Sequence, residues 1–267
     1  MFADTDYPDT NQATLVHREA SENAEWRVFE QAQWRWLGTP DGAIHAAIDR
    51  RAPRTPVLGY IRTMLSGLCL AEPPERVLDL GYGCGTLVSA LQQHLPNTRV
   101  TSVEQDHAVV RIAHRWFGGE HPDHVVMATA EQYVHRSHVP SDAVFCDLHS
   151  TRDGLGPVAD PAFHDALAGH LADDGVCIVN LLPADQRDAI ALVGAIRAAF
   201  AHVWLATVPG CQNLVVFARH RACAAPDSRS PFARYWCDDT VTACPVRRVS
   251  PVRPTPTRHA ESATPTG

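Results

Sequence analysis

From Arg76 onward, short apolar runs alternate with helix-length segments, and this rhythm constrains the fold more than any other feature. Arg76 to Leu80, Arg99 to Val103, Val125 to Met127, Ala143 to Cys146 and Val176 to Leu181 read as buried strands. Leu87 to Leu95, His107 to Phe117, Pro161 to Leu171 and Ala184 to Phe200 read as helices placed among and after them. Strands that return through helices run parallel, so the expected class is α/β with a doubly wound, mostly parallel sheet. The final two runs, Val203 to Thr207 and Leu214 to Phe217, flank Pro209-Gly210 and leave no room for a crossover. They are expected to pair antiparallel, closing a seven-stranded sheet with a terminal hairpin.

The flanks read differently. Thr55 to Leu70 carries Val57, Ile61, Met64, Leu65 and Leu68 at helical spacing and opens the α/β domain, expected over residues 55–220. Before it, Trp26 to Glu30 and Gln33 to Leu37 surround Gln31-Ala32 and precede the turn signal Pro40-Asp41-Gly42, which reads as a small N-terminal β-hairpin extension over 25–54. Residues 1–24 are polar and are expected to be disordered. Residues 221–267 are rich in Pro, Ser and Thr without a sustained period and are expected to form a disordered tail, with Arg247, Arg248, Arg253 and Arg258 as solvated charge.

Composition narrows the chemistry. All 23 basic residues are Arg, so lysine Schiff-base chemistry and Walker-type phosphate loops are excluded. The net charge of −7 opposes non-specific nucleic-acid binding and favours a cationic small substrate. The acidic start Met1-Phe2-Ala3-Asp4-Thr5-Asp6 has no signal-peptide character and no apolar run is of membrane-spanning length, so a cytoplasmic protein without a membrane partner is expected. Eight cysteines without a C-x-x-C pair read as reduced thiols, with Cys146 and Cys177 in strand-like runs. The run Glu120-His121-Pro122-Asp123-His124 lacks helical ligand spacing and reads as a loop of exposed histidines, with no metal expected. Trp34, Trp36 and Trp116 read as fillers of a core or of a homodimer surface, since no basic stripe accompanies them.

The chemically informative segment is Val77-Leu78-Asp79-Leu80-Gly81-Tyr82-Gly83-Cys84-Gly85-Thr86-Leu87. A strand that runs into three alternate glycines and then a helix brings backbone close to a ligand, as a nucleoside site requires. A dinucleotide fingerprint would need glycine at Thr86, which disfavours NAD. The next strand ends at Glu104, on the rim where open α/β sheets bind ligands, and a carboxylate there can accept both ribose hydroxyls.

The glycine spacing resembles the first motif of class I S-adenosylmethionine (SAM) dependent methyltransferases, whose Rossmann-like sheet ends in the same kind of antiparallel hairpin. The run from Val103 to Gly118 (VEQDHAVVRIAHRWFG) is similar to the V-E-x-D-x-x-V-V-x-x-A-x-x-x-F-G of spermidine synthases, the polyamine aminopropyltransferases, and of spermidine synthase-like proteins. Ser141 to Asp147, Phe163, Gly175 to Leu181 and Asn213 to Ala218 fit the same family, so the resemblance covers roughly residues 26–219. It implies SAM or decarboxylated SAM as cofactor and a small amine as acceptor. It places the nucleoside site on Gly81, Gly83, Gly85, Glu104, Gln105, Thr129 and Ala130, and the catalytic aspartate on Asp147. The acceptor side falls on Tyr60, His45 and Ser150, with Asp49 also in the N-terminal extension.

Three departures bear on the acceptor and the base. Ser150 stands where the family's gate loop has a second acid, Ala128-Thr129-Ala130 where it has an adenine-binding acid, and His45 where it has a glutamine. The resemblance therefore implies an aminopropyl transferase, with a small-molecule methyltransferase and a non-catalytic nucleoside-binding homologue as the other two readings.

Overall fold

The computed structural model describes residues 12–137, 139–148, 156–223, 225–236 and 240–244. Two sheets make up the molecule. The first is a four-stranded antiparallel sheet of β1 (Thr14–Ala20), β2 (Glu25–Gln31), β3 (Trp34–Gly38) and β4 (Ile44–Asp49), in that order. The second begins after helix α1 (Gly59–Ser66) and contains β5 (Arg76–Leu80), β6 (Arg99–Glu104), β7 (Val126–Met127), β8 (Ser141–Cys146), β9 (Leu171–Leu181), β10 (His202–Thr207), β11 (Leu214–Arg219) and β12 (Val241–Cys244). Its order is β12-β10-β11-β9-β8-β5-β6-β7.

Strands β9, β8, β5, β6 and β7 run parallel, β11 runs antiparallel to β9, and β10 pairs antiparallel with β11 and so regains the common direction, which is the mostly parallel α/β sheet with a terminal hairpin that the sequence predicts. The crossovers are α2 (Thr86–His94), α3 (His107–Ile112), α4 (Ala130–Arg136) and α5 (Pro161–His170), with α6 (Gln186–Ala199) leading into the hairpin. Strands β5, β8 and β9 hold the core: Leu80, Phe145, Val176 and Ile178 are all fully buried, as a parallel sheet covered on both faces requires.

Four details differ from the expectations. The N-terminal extension is a four-stranded sheet rather than a hairpin, and it begins at Thr14, inside the stretch expected to be disordered. Strand β1 is an edge strand with one face in solvent, so its residues are polar and escape a composition test; it is anchored by Glu19, which accepts from the Arg111 guanidinium of α3. The main sheet has eight strands rather than seven, because β12, from the segment expected to be a tail, pairs with β10 from Val203↔Cys244 to Ala206↔Val241. In the same segment Phe232 is 1% exposed and Trp236 stacks on Phe217 at 5.7 Å. A few aromatics and four strand residues generate no period in sequence, yet they find the open edge and the flank of the core. Finally, the helix expected over His107 to Phe117 changes to a π-turn at Ala113–Phe117, and α4 has no counterpart in the sequence reading.

Cys69, Cys84, Cys146 and Cys177 are buried free thiols. Cys237, Ser150 and the Arg247, Arg248, Arg253 and Arg258 cluster lie outside the described residues.

Candidate nucleoside-binding site

A cavity of about 480 Å³ opens at the carboxyl ends of β5, β6 and β8 and is roofed by the N-terminal sheet. Of the sequence-predicted residues, Gly81, Gly83, Glu104, Gln105, Thr129, Asp147, Tyr60 and His45 line it. Gly85 and Ala130 are not among its lining residues, and Ser150 lies outside the described residues.

The glycine loop is shaped by close approach. Gly81 has φ 89°, and a Cβ there would sit against the carbonyl oxygen of Asp147, so the first glycine lets the β5 and β8 strand ends meet. The Asp147 N–H donates to the Leu80 carbonyl at 2.9 Å across that junction. Gly85, with φ 70°, serves packing instead: a Cβ would strike the Tyr82 hydroxyl, and Tyr82 is 5% exposed. Ala130, the first residue of α4, is buried in the core.

Glu104 is held by backbone. Its Oε2 accepts from Gly83 N–H at 2.9 Å, and its Oε1 from Gln105 N–H at 2.8 Å and Asp106 N–H at 3.1 Å. Burial raises its pKa, and these three bonds oppose the rise without cancelling it. The carboxylate is thereby fixed against the glycine loop, and Oε2 keeps lone-pair capacity for a ligand hydroxyl. Asp106 caps α3 and accepts from Ser21 Oγ at 2.6 Å and Trp26 Nε1 at 2.8 Å, so the β1–β2 turn is bonded to the rim of the cavity.

Asp147 stands at the end of β8, half-buried. Asn180 on β9 donates from Nδ2 to its Oδ1 at 2.8 Å, and Asn213 donates from Nδ2 to the Asn180 Oδ1 at 3.1 Å. This relay orients the carboxylate from β9 and from the residue that precedes β11. Tyr60, on α1, lies close enough that Asp147 adds to the effect of burial in holding the phenol neutral, and its hydroxyl donates to the His45 carbonyl at 3.4 Å. The His45 ring meets Trp26 edge-on at 5.1 Å. Asp49 is not at the cavity; it is bonded to Arg51 at 2.8 Å.

Four carboxylates that the sequence reading gave no role also line the cavity, Glu22, Asp79, Asp106 and Glu131. Asp79, 1% exposed, leaves its Oδ2 without a hydrogen-bond partner, and burial pushes its pKa up to about 7, partly offset by a hydrogen bond from Ser102. Glu131 enters from the first turn of α4. The signal for it was present: Thr129-Ala130-Glu131-Gln132 has capping-box spacing, and the Thr129 hydroxyl does accept from Gln132 N–H at 3.2 Å. Recognising that cap starts a helix at Ala130 and turns Glu131 toward the site, close to the place where no adenine-binding acid is found.

Glu22, Asp79, Glu104, Asp106, Glu131 and Asp147 thus surround one cavity. No arginine is among its described lining residues. Among the described residues no group of three or more His, Cys, Asp or Glu side chains could hold a metal ion. His121 and His124 lie elsewhere, each exposed and 3.5 Å from Asp123 and Glu120 respectively.

No protein-family model matches the chain. The chain is similar to the mouse eEF1A lysine and N-terminal methyltransferase, 27% identical over 175 residues, which covers 58% of this chain and 25% of that protein. It is also similar to the polyamine aminopropyltransferase of Vibrio vulnificus, 30% identical over 132 residues, covering 47% of this chain and 44% of the relative. The matches therefore span well under two thirds of either relative. Among solved structures, a probable spermidine synthase from Corynebacterium glutamicum superposes with a TM-score of 0.66 at 17% identity, over 83% of this chain and 85% of that one. Sheet order, glycine loop and strand-end acid define the SAM-methyltransferase-like class of α/β folds. Within that class the chain is spermidine synthase-like.

Proposed function

We propose that the chain binds decarboxylated SAM and transfers its aminopropyl group to a small amine. The observation that carries this reading is the charge of the cavity: six carboxylates and no arginine among the described lining residues. SAM itself brings a carboxylate that such walls repel, whereas decarboxylated SAM brings a sulfonium and an ammonium that they attract. The name of the Vibrio relative supports the same chemistry.

In this reading Glu104, fixed by the Gly83 N–H, holds the adenosine beside the glycine loop, and Asp147 does the proton work. An ammonium has no lone pair to attack with. Asp147, kept in place by Asn180 and Asn213, holds the acceptor ammonium and takes its proton. The freed lone pair attacks the carbon beside the sulfonium; the carbon–sulfur bond breaks, its electrons go to sulfur, and methylthioadenosine leaves. Tyr60 and His45 border the acceptor side. The serine at position 150 leaves this side with one fewer acid than a spermidine synthase has, so a long diamine is held less well than a shorter or less charged amine.

Methyl transfer from SAM is the second reading, favoured by the name of the mouse relative. Calorimetric titration with SAM, decarboxylated SAM and methylthioadenosine, followed by product analysis with putrescine and smaller amines, separates the two. Decarboxylated SAM should bind more tightly than SAM. Tighter binding of SAM together with a methylated product would replace aminopropyl by methyl transfer, and nucleoside binding without any product would leave a non-catalytic binder.

A further inference from the structure

Behind the glycine loop lies a second cavity, of about 560 Å³, between the N-terminal sheet, the loop after β4, helix α2 and the turn that follows α3. Its walls carry Arg35, Arg50, Arg54, His114, His121 and His124. Three carboxylates stand against them, Glu30, Glu120 and Asp123, the last 3.5 Å from His121 Nδ1. Glu30 bonds Arg35 and also accepts from Arg50 Nη1 at 2.6 Å, so one acid is shared by two guanidinium groups and the trio keeps a positive charge. Glu120 lies 3.5 Å from His124 Nδ1. Arg54 is exposed and makes no hydrogen bond or ion pair among the described residues.

We propose that this cavity binds a small phosphorylated molecule. Arg35 is already fixed, by Glu30, by the Trp116 carbonyl and by its position 5.3 Å from the centre of the Trp116 ring, so little side-chain freedom is lost when it meets an anion. Arg54 supplies a guanidinium fork with all its donors open, suited to bidentate contact with a phosphoryl group. Arg35 sits on β3, and Arg50 and Arg54 on the loop that follows β4, while the histidines face them from the turn after α3. Donors that converge from separate elements suit a tetrahedral oxyanion better than a planar one. The imidazoles offer an N–H whether or not they are protonated. Tyr82 is a wall common to both cavities, and its hydroxyl accepts from Glu120 N–H at 2.6 Å. The site is otherwise independent of the acidic cavity.

The test is calorimetric titration of the full chain with pyrophosphate, inorganic phosphate and malonate at constant ionic strength. Pyrophosphate should bind saturably and more tightly than malonate. Arg54→Glu should weaken it by about tenfold or more, the worth of a lost charge-assisted contact. Arg50→Glu serves as a second variant, and folding of each is checked by its melting temperature. Arg229→Ala, an exposed residue bonded to Asp227 far from this cavity, and Glu104→Ala, in the other cavity, should both leave pyrophosphate affinity unchanged. Absence of saturable binding would overturn the proposal. So would tighter binding of malonate, a loss in Arg229→Ala equal to that in Arg54→Glu, or a gain in Glu104→Ala, which would place the anion in the acidic cavity.

Discussion

The cavity at the carboxyl rim of the sheet and the cavity behind the glycine loop share Tyr82, yet among the described lining residues their walls carry opposite charge: carboxylates without arginine in one, arginines and histidines with a single glutamate in the other. A net charge of −7 describes neither. Apart from Glu22, in the β1–β2 turn, the acids come from the ends of β5, β6 and β8 and the start of α4, where an open sheet presents its ligand-binding rim. The arginines come from the N-terminal sheet and its exit loop, which pack against the other side of the glycine loop. Sites of opposite sign can lie this close because charge acts locally inside low-dielectric walls, while salt screens it beyond about 10 Å.

Three experiments can break or sharpen this contrast on its acidic side. The largest effect is expected at Asp147. Asp147→Asn keeps the shape and the Asn180 contact in reach but removes the base, so turnover should fall by about 10²- to 10⁴-fold while nucleoside affinity holds. Equal loss of both would make Asp147 a structural residue. Next, Glu104→Ala should weaken nucleoside binding by roughly 10- to 150-fold, the range for a charge-assisted hydrogen bond. Unchanged titration curves would remove Glu104 from the site.

The smallest effect is a pH dependence that belongs to the acidic cavity. Burial pushes the Asp79 carboxyl up to about 7, well above its unfolded value, so the folded protein retains a proton that the unfolded chain releases. Stability of the empty protein should therefore decline as pH rises from about 4 to about 7 and stay reduced above that. A cationic ligand favours the ionised form, so its affinity should rise by about tenfold between pH 6 and pH 8, as the ionised fraction grows. In Asp79→Asn both slopes should flatten, measured by thermal melts and by titration across that range. An unaltered pH profile in the variant would assign the proton to another group.

Local pattern alone was enough to find the parallel sheet, the terminal hairpin and the glycine loop. Each of these is dictated by contiguous residues: Val77 to Leu80 is buried on both faces and so reads as a mostly apolar run, and glycine at 81 lets the β5 and β8 strand ends approach each other. Glu104 could be placed on the sheet's rim for the same reason, since a residue at a strand's carboxyl end is placed by the strand itself, whereas Asp147 came from the family resemblance; both line the cavity. Asp79 was quoted within its motif without a role, because nothing in a row of strand residues tells that one carboxyl oxygen will be left without a partner. Glu131 needed the Thr129 cap to be read as a helix start.

Other features belong to the tertiary structure. Strand β1 and strand β12 exist because an antiparallel edge lay open to them, and their own residues carry too little apolar period to announce a strand. The relay from Asn213 through Asn180 to Asp147 joins residues 33 apart at each step, and only the register of β11, β9 and β8 aligns them. The basic cavity is the furthest case: Arg35, Arg50 and Arg54 precede the glycine loop while His114, His121 and His124 follow it, and no spacing rule links the two sets. Sequence by itself determined which segments form strands and helices and which strand ends carry acids, because those depend on neighbours along the chain. The packing of the N-terminal sheet against the glycine loop decided which charges face one another, because burial and Coulomb energy depend on distance through space.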